Sequence, residues 1–251
     1  VTLARACEYS EWLKRPKGII PEIGGVDRKK AEQLVKSTLE RRTAQPLWLD
    51  AASITGLLES YGIRIVQSRS AATAEEAKKA AEELGFPVAV KLLSNTITHK
   101  TEVGGVVLDL SSQREVERAF IQLREHLADI GREGEMQGVT VQQMISGGIE
   151  VIVGMTQDSS LGPLILFGMG GVYTELFKDV TFRIHPLTDV DVHEMVRSVR
   201  AYQLLEGWRG AEPRDIAALE GLLLRVSAMV EDLPQIAELD LNPVKVLERN
   251  S

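Results

Sequence analysis

The residues best placed to do chemistry gather around one lysine. Lys91 lies near the end of an apolar run, Phe86-Pro87-Val88-Ala89-Val90-Lys91-Leu92-Leu93, that reads as a buried strand. An unpaired ammonium is costly in such a strand, so Lys91 calls for an anionic partner. A polar loop follows from Ser94 to Val103 and carries His99, Lys100 and Thr101, and then Gly104-Gly105 opens a second apolar run to Leu110. Glycines let backbone N–H groups approach an anion, and lysines add point charge for phosphate. The stretch therefore reads as a phosphate-gripping hairpin, although a Gly-Gly pair equally marks a plain bulge or turn. His99, between a threonine and a lysine, is a candidate nucleophile for phosphoryl transfer, against the ordinary alternative of a solvent-facing histidine.

A second group of candidates sits near the end of the chain. In the run Ile236-Ala237-Glu238-Leu239-Asp240-Leu241 the side chains alternate, so Glu238, Asp240 and Asn242 share one face and apolar residues the other. Three oxygen-bearing side chains suit a hard cation such as Mg²⁺, which takes few protein oxygens and completes its shell with phosphate and water. The plain alternative is an edge strand with a solvated polar face. Between the two groups lie Gly168-Met169-Gly170-Gly171, directly after a short apolar strand, and Gln142-Gln143-Met144, whose backbone groups could meet a nucleotide base. The glycine turn lacks the Lys-Ser/Thr of a P-loop and the spacing of a dinucleotide fingerprint.

The elements that would position these residues form an α/β series. Helices are predicted over Ala51–Tyr61, capped by Gly62, from Thr73 with Glu76 as a capping box to Leu84, and from Ser112 with Glu115 to Leu127. Strands are predicted at Ile63–Val66, across 86–93, 106–110, 139–144, 149–155, 164–167, 181–185, and from Ile236 to a stop at Asn242-Pro243. Two late helices run over Asp189–Val199 and Pro213–Val230, with Pro213 suited to a first turn. Residues 1–45 differ in character: a helix from Leu3 to Leu13 and a charged one over Asp27–Arg41 with a thin apolar stripe. They read as the tail of a preceding domain or a linker. Residues 46–145 read as a small, mobile subdomain and 146–251 as a large one bearing the metal strand, with Gly147-Gly148 at the crossing.

Composition narrows the classes. The 251 residues are 44% hydrophobic and 26% charged, as in a globular protein of one or two domains. A net charge of -7 argues against a nucleic-acid surface, and the single Cys7 excludes an internal disulfide or a cysteine-ligated zinc. No apolar run reaches the roughly 18 residues of a membrane helix, so no membrane role and a cytoplasmic setting are expected. The chain opens at Val1, which reads as a piece of a longer polypeptide.

Five motifs in order resemble a known family: Lys91 on its strand, His99-Lys100-Thr101-Glu102-Val103-Gly104-Gly105-Val106, Gly147-Gly148-Ile149-Glu150-Val151-Ile152-Val153-Gly154, Phe167-Gly168-Met169-Gly170-Gly171, and Glu238-Leu239-Asp240-Leu241-Asn242-Pro243. Together, over about Trp48 to Val246, they look like the ATP-grasp domain of NDP-forming acyl-CoA synthetases, the β part of ADP-forming acetyl-CoA synthetase, related to the succinyl-CoA synthetase β chain. The resemblance implies an ATP-grasp fold of two α+β subdomains with ATP or ADP and Mg²⁺ in the cleft between them. Lys91 would hold the α- and β-phosphates; Thr101, Gly104 and Gly105 would form the lid; Gln142, Gln143 and Met144 would be the adenine hinge; Glu150 would lie near the ribose. Gly170 and Gly171 would line the phosphoryl path, Asp240 and Asn242 would bind Mg²⁺, and His99 would take part in relaying the phosphoryl group to ADP. The family reaction is acyl-CoA plus ADP plus phosphate giving acid, CoA and ATP through a phosphohistidine. Its CoA-binding part, with the acid and CoA, belongs to a partner segment or chain. Three departures stand out: that part is not in this sequence, no second metal aspartate follows Asn242-Pro243 before Ser251, and Gln143 replaces a common glutamate. The alternatives are a regulatory nucleotide-binding module fused to a protein acetyltransferase and a purely structural partner of a CoA ligase.

Overall fold

The computed structural model describes residues 9–10, 14–40, 47–94, 96–97, 100, 103–171 and 178–249. Among them the first half of the chain forms α1 (Arg28–Glu40), α2 (Ala51–Ser60), β1 (Ser68–Ala71), α3 (Ala74–Leu84), β2 (Val88–Leu93), β3 (Val106–Leu110) and α4 (Gln113–Asp129). The second half forms β4 (Gly138–Gln143), β5 (Ile149–Asp158), β6 (Gly162–Met169), β7 (Val180–Ile184), α5 (Asp189–Ser198), α6 (Ile216–Asp232) and β8 (Glu238–Val246). The chain divides into two units, 65–146 on the one hand and 1–64 with 147–251 on the other.

Unit 65–146 is an antiparallel sheet of order β1-β4-β2-β3 with α3 and α4 on one face. Both helices have the expected N-cap, but the return bond from each glutamate lands one residue before the cap, so neither capping box closes. Thr73 accepts from the Glu76 N–H while Glu76 accepts from Ala72 N–H, and Ser112 and Glu115 do the same at α4. Ala77, Ala80, Ala81 and Leu84 of α3 and Val116, Ala119, Phe120 and Leu123 of α4 close on Val88, Val90, Val139 and Val141. Because strand side chains alternate, burying Val88, Val90 and Leu92 against the helices turns Ala89 and Lys91 to the opposite face.

The other unit holds the antiparallel sheet β7-β6-β5-β8. Val151, Val153 and Met155 of β5 lie opposite Met169, Phe167 and Ile165 of β6, and all six are buried. The same period fixes the other face, where Gly154 and Thr156 of β5 stand opposite Asp240 and Glu238 of β8. Helices α5 and α6 contribute buried Val192, Met195, Val196, Leu223, Val226 and Met229 to this unit's core.

Four details differ from the sequence reading. No strand forms at 63–66: the Ile63 N–H donates to Leu58 O at 2.9 Å, continuing the α2 exit, and β1 begins only at Ser68. The helix placed at Pro213 begins at Ile216, with Asp215 as its cap, because Arg214 and Asp215 N–H groups are engaged by Leu205 O and Leu247 O. The last strand does not stop at Asn242 but runs to Val246. Proline is tolerated there because β8 is an edge strand and its register slips against β5 between the pairs at Val151 and Val153.

The fourth is the unit boundary. Residues 46–64, assigned from sequence to the small subdomain, belong with 147–251. Tyr61, fully buried, donates its hydroxyl to Asp232 Oδ2 at 3.0 Å, and Arg28 Nε reaches the same oxygen at 2.8 Å. Arg225 donates to Tyr61 O at 2.7 Å. Burial and the Asp232 bond push the Tyr61 phenol far above its ordinary pKa, so it stays a donor at any physiological pH. α1 buries Ala31 and Val35 beside α2, which supplies the neighbour that its thin stripe required. The helix expected over Leu3–Leu13 falls largely outside the described residues.

Candidate functional site

In unit 65–146 the site is built on the helix-free face of the sheet. Lys91 in β2 stands opposite Thr140 of β4 and Val106 of β3. It is half-buried, and burial, with the Lys100 ammonium as second cause, holds its pKa below the ordinary lysine value; burial does the same to Lys100. No acidic partner of either ammonium is found among the described residues. Two half-buried cations without a counter-charge are what an anion site looks like in the absence of its anion.

The glycine pair serves the same hairpin. The Gly105 N–H donates to Lys100 O at 2.7 Å, and Leu92 N–H donates to Gly105 O at 2.7 Å, which closes the loop back onto β2. A Cβ on Gly105 would stand 2.8 Å from Lys100 O, and Gly104 has φ 62, so each requires glycine for a backbone reason. His99 and Thr101 lie outside the described residues.

At the end of β4 the expected base hinge is partly committed already. Gln143 N–H donates to Gln67 O and Met144 N–H to Pro87 O, each at 3.0 Å. The Met144 sulfur accepts the Asp109 N–H at 3.0 Å, fastening the residue with φ 58 in β3. Of the groups considered for a base, the amides of Gln143 and Met144 are thus engaged within this unit, and their carbonyls are acceptors with further capacity.

In the other unit Asp240 and Glu238 lie two residues apart on one face of β8. Burial, and then the Glu238 charge, raise the Asp240 carboxyl above the ordinary range. This is an acidic pair that a cation would relieve. One carboxylate, with the exposed Asn242 amide oxygen next along the strand, is a donor set that fits Mg²⁺. No group of three or more His, Cys, Asp or Glu side chains arranged for a metal occurs among the described residues, so such an ion would depend on phosphate and water for the remaining positions.

Glu150 is exposed and faces Lys245 at 3.7 Å, while its main-chain oxygen accepts Gly170 N–H at 2.7 Å. That close crossing explains Gly170: its Cβ would stand 2.8 Å from the Glu150 backbone. Gly171, with φ 61 and open space around it, begins the turn proper. The sequence reading missed Asp179, whose main-chain oxygen accepts the Met169 N–H at the end of β6 at 3.1 Å. Nothing in the sequence distinguishes that lone aspartate at a strand start from a surface one. The described residues include no helix long and apolar enough to cross a membrane.

Each unit thus rests on its own antiparallel four-stranded sheet with helices packed on it, an α/β architecture, one unit carrying the lysine pair and the other the carboxylate pair. Residues 40–250 match the model of the ATP-grasp domain. The chain belongs to this family, in the branch of the ADP-forming acyl-CoA synthetases. It is 44% identical over 223 residues to acetate–CoA ligase [ADP-forming] I of Archaeoglobus fulgidus, an alignment that covers 89% of this chain and 32% of that protein. It is 42% identical over 194 residues to the β subunit of acetate–CoA ligase [ADP-forming] II of Pyrococcus furiosus, covering 77% of this chain and 82% of that subunit. The dinucleotide-forming acetyl-coenzyme A synthetase 1 of Candidatus Korarchaeum cryptofilum, solved with coenzyme A and Ca-AMPCP, superposes with a TM-score of 0.78 at 37% identity over 88% of this chain and 94% of that one. A second structure of that protein holds coenzyme A and Mg-AMPPCP, with a phosphohistidine segment pointing towards the nucleotide binding site. This chain spans about a third of the single-chain ligases it matches and most of the separate β subunits.

Proposed function

We propose that this chain is the nucleotide-binding and phosphoryl-transferring part of an ADP-forming acyl-CoA synthetase. The observation that carries the reading is the half-buried Lys91, beside Lys100, with no acidic partner among the described residues. A phosphate chain supplies the missing negative charge. Lys91 binds the α- and β-phosphates, and the Gly104-Gly105 hairpin, with Thr101, covers them. Gln142, Gln143 and Met144 present acceptor groups to the base, and Glu150 lies by the ribose. Asp240 and Asn242 would hold Mg²⁺, whose chemistry is to neutralise charge spreading over the transferred group. Support comes from Mg-AMPPCP and the phosphohistidine segment in the Korarchaeum structure.

In the ATP-forming direction the phosphoryl group arrives from the CoA-binding part, which is a partner segment or subunit in this proposal. His99 takes part in the relay: a ring nitrogen of the neutral imidazole takes the phosphoryl group as the P–N bond to the phosphohistidine of the CoA-binding part breaks. The P–N bond formed at His99 then breaks as a β-phosphate oxygen of ADP forms the new P–O bond. Gly170 and Gly171 line the path. The acid and CoA bind in the partner.

Calorimetry of the chain with ATP and ADP, each with and without Mg²⁺, tests the reading. Saturable binding that weakens on removing Mg²⁺ is the expected result. Binding of neither nucleotide overturns it.

A further inference from the structure

Asp179 is the one charged side chain buried below a tenth of its surface among the described residues, at 6% exposed. Its partners are not cations. Oδ1 accepts the Arg200 N–H at 2.8 Å and Oδ2 the Ala201 N–H at 2.9 Å, so both oxygens hold the start of the short 3₁₀ turn Arg200–Leu204. The Asp179 main-chain oxygen accepts the Met169 N–H at 3.1 Å. One residue therefore ties the last residue of β6, from which the glycine turn departs, to the separate turn that starts at Arg200.

The packing around that tie is close. A Cβ on Gly168 would stand 2.7 Å from Val180 Cγ1 and 3.0 Å from Asp179 O, so glycine is needed for the 179–180 segment to lie where it does. Lys178 has φ 48, and Val180 N–H donates back to Lys178 O at 2.9 Å, which makes a tight return at Asp179. Met169 and Gly170 amides are thus both held by carbonyls, of Asp179 and Glu150. Gly171 is the first residue of the turn whose amide has no partner among the described residues.

We propose that Asp179 is a positioning residue for the phosphate-facing glycine turn: by clamping residues 200–201 with its carboxylate and Met169 with its carbonyl, it fixes where the Gly171 amide is presented to the phosphates of the nucleotide. The inference rests on the nucleotide-binding reading above. A carboxylate suits the task because it is acceptor-only and meets two N–H donors with no proton of its own. Asparagine keeps one acceptor but sets an NH₂ group against the other N–H, so the clamp must shift.

The test compares Mg-ATP with AMP on the full chain by calorimetry, at a temperature well below unfolding, for the wild type, Asp179→Asn, Gly168→Ala and Ser227→Ala. Gly168→Ala pushes on the same crossing from the β6 side. Ser227→Ala is the control for damage without positioning, since it strands the buried Leu187 N–H that Ser227 Oγ accepts at 3.0 Å. Asp179→Asn and Gly168→Ala should each weaken ATP about tenfold, the loss of one charged hydrogen bond, and leave AMP within about twofold. Ser227→Ala should lower the melting temperature and leave the ATP-to-AMP ratio alone. ATP and AMP weakening together, an unmoved ratio in folded variants, or failure of both Asp179→Asn and Gly168→Ala to fold would each assign Asp179 to the fold only. A wild-type chain that binds neither ligand overturns instead the reading on which the inference rests, and the inference with it.

Discussion

Lys91→Met separates a phosphate-binding lysine from one that merely reaches out of a sheet. Because burial and Lys100 hold the Lys91 pKa below 10.5, the charged form costs the ligand-free chain stability at every pH below its folded pKa, and that cost is relieved as pH rises through the unfolded value. Methionine fills the same space without the charge, so the melting temperature of the ligand-free variant at pH 7 should hold or rise. Nucleotide affinity should fall. A charge-assisted hydrogen bond to phosphate contributes about 1.5–3 kcal/mol, or roughly a 10- to 150-fold change in Kd. Ligand at about 100 times the wild-type Kd adds about 2.7 kcal/mol of stability, equivalent to about 5–10 °C at this chain length. With Kd raised about 100-fold, the same concentration adds about 0.4 kcal/mol, about 1–2 °C. Thermal melts and calorimetry, each with and without Mg-ATP, read both effects. A variant that melts lower without ligand yet binds ATP within twofold of wild type would refute the argument, since Lys91 would then stabilise the sheet and ignore the phosphate.

Asp240→Asn should raise the ligand-free melting temperature at pH 7, because an acid whose folded pKa is raised stabilises only below its unfolded value of 3.8 and costs stability above the folded one. With Glu238 two residues away, about 7 Å along the strand, the relieved repulsion is about 0.5–1 kcal/mol after solvent screening. The gain should vanish in melts near pH 3, and the Mg²⁺ dependence of ATP affinity should be lost. Tyr61→Phe removes the donor to Asp232 while Arg28 remains, so urea titration should show a loss of about 1–1.5 kcal/mol. The same change should blunt the wild-type loss of stability as pH rises above 10.0, where an unfolded tyrosine ionises and the buried one does not. Finally, γ-labelled ATP should leave an acid-labile, base-stable label on the wild-type chain and none on His99→Ala; equal labelling of both removes His99 from the relay.

What could be read in the sequence was local, and what could not was long-range. The N-caps at Thr73 and Ser112 and the alternation that buries Val90 and turns Lys91 outward need only neighbours within one or two turns of chain, and the structure has them in place. Pro243 misled because its tolerance depends on β8 being an edge strand and slipping register, facts about a partner strand some ninety residues earlier. Residues 46–64 were misplaced for the same reason. The hydroxyl that commits Tyr61 has its acceptor at Asp232, 171 positions away, and no periodicity reports such a bond.

The glycines carry the point into the site. Gly105 and Gly170 were singled out as phosphate cradles, and each has a backbone reason to be glycine that involves no ligand: Lys100 O for the one, Glu150 for the other. This does not remove them from a binding role, because the same closeness that excludes a Cβ fixes the path of the loop. It does change which amides are available. Gly170 has its N–H engaged by Glu150, so in the proposed site it is the Gly171 amide that would meet an anion, placed by what holds β6 at Met169. A glycine motif in a sequence marks where backbone approaches something closely; only the hydrogen-bond partners of its amides show whether that something is the protein itself or a ligand.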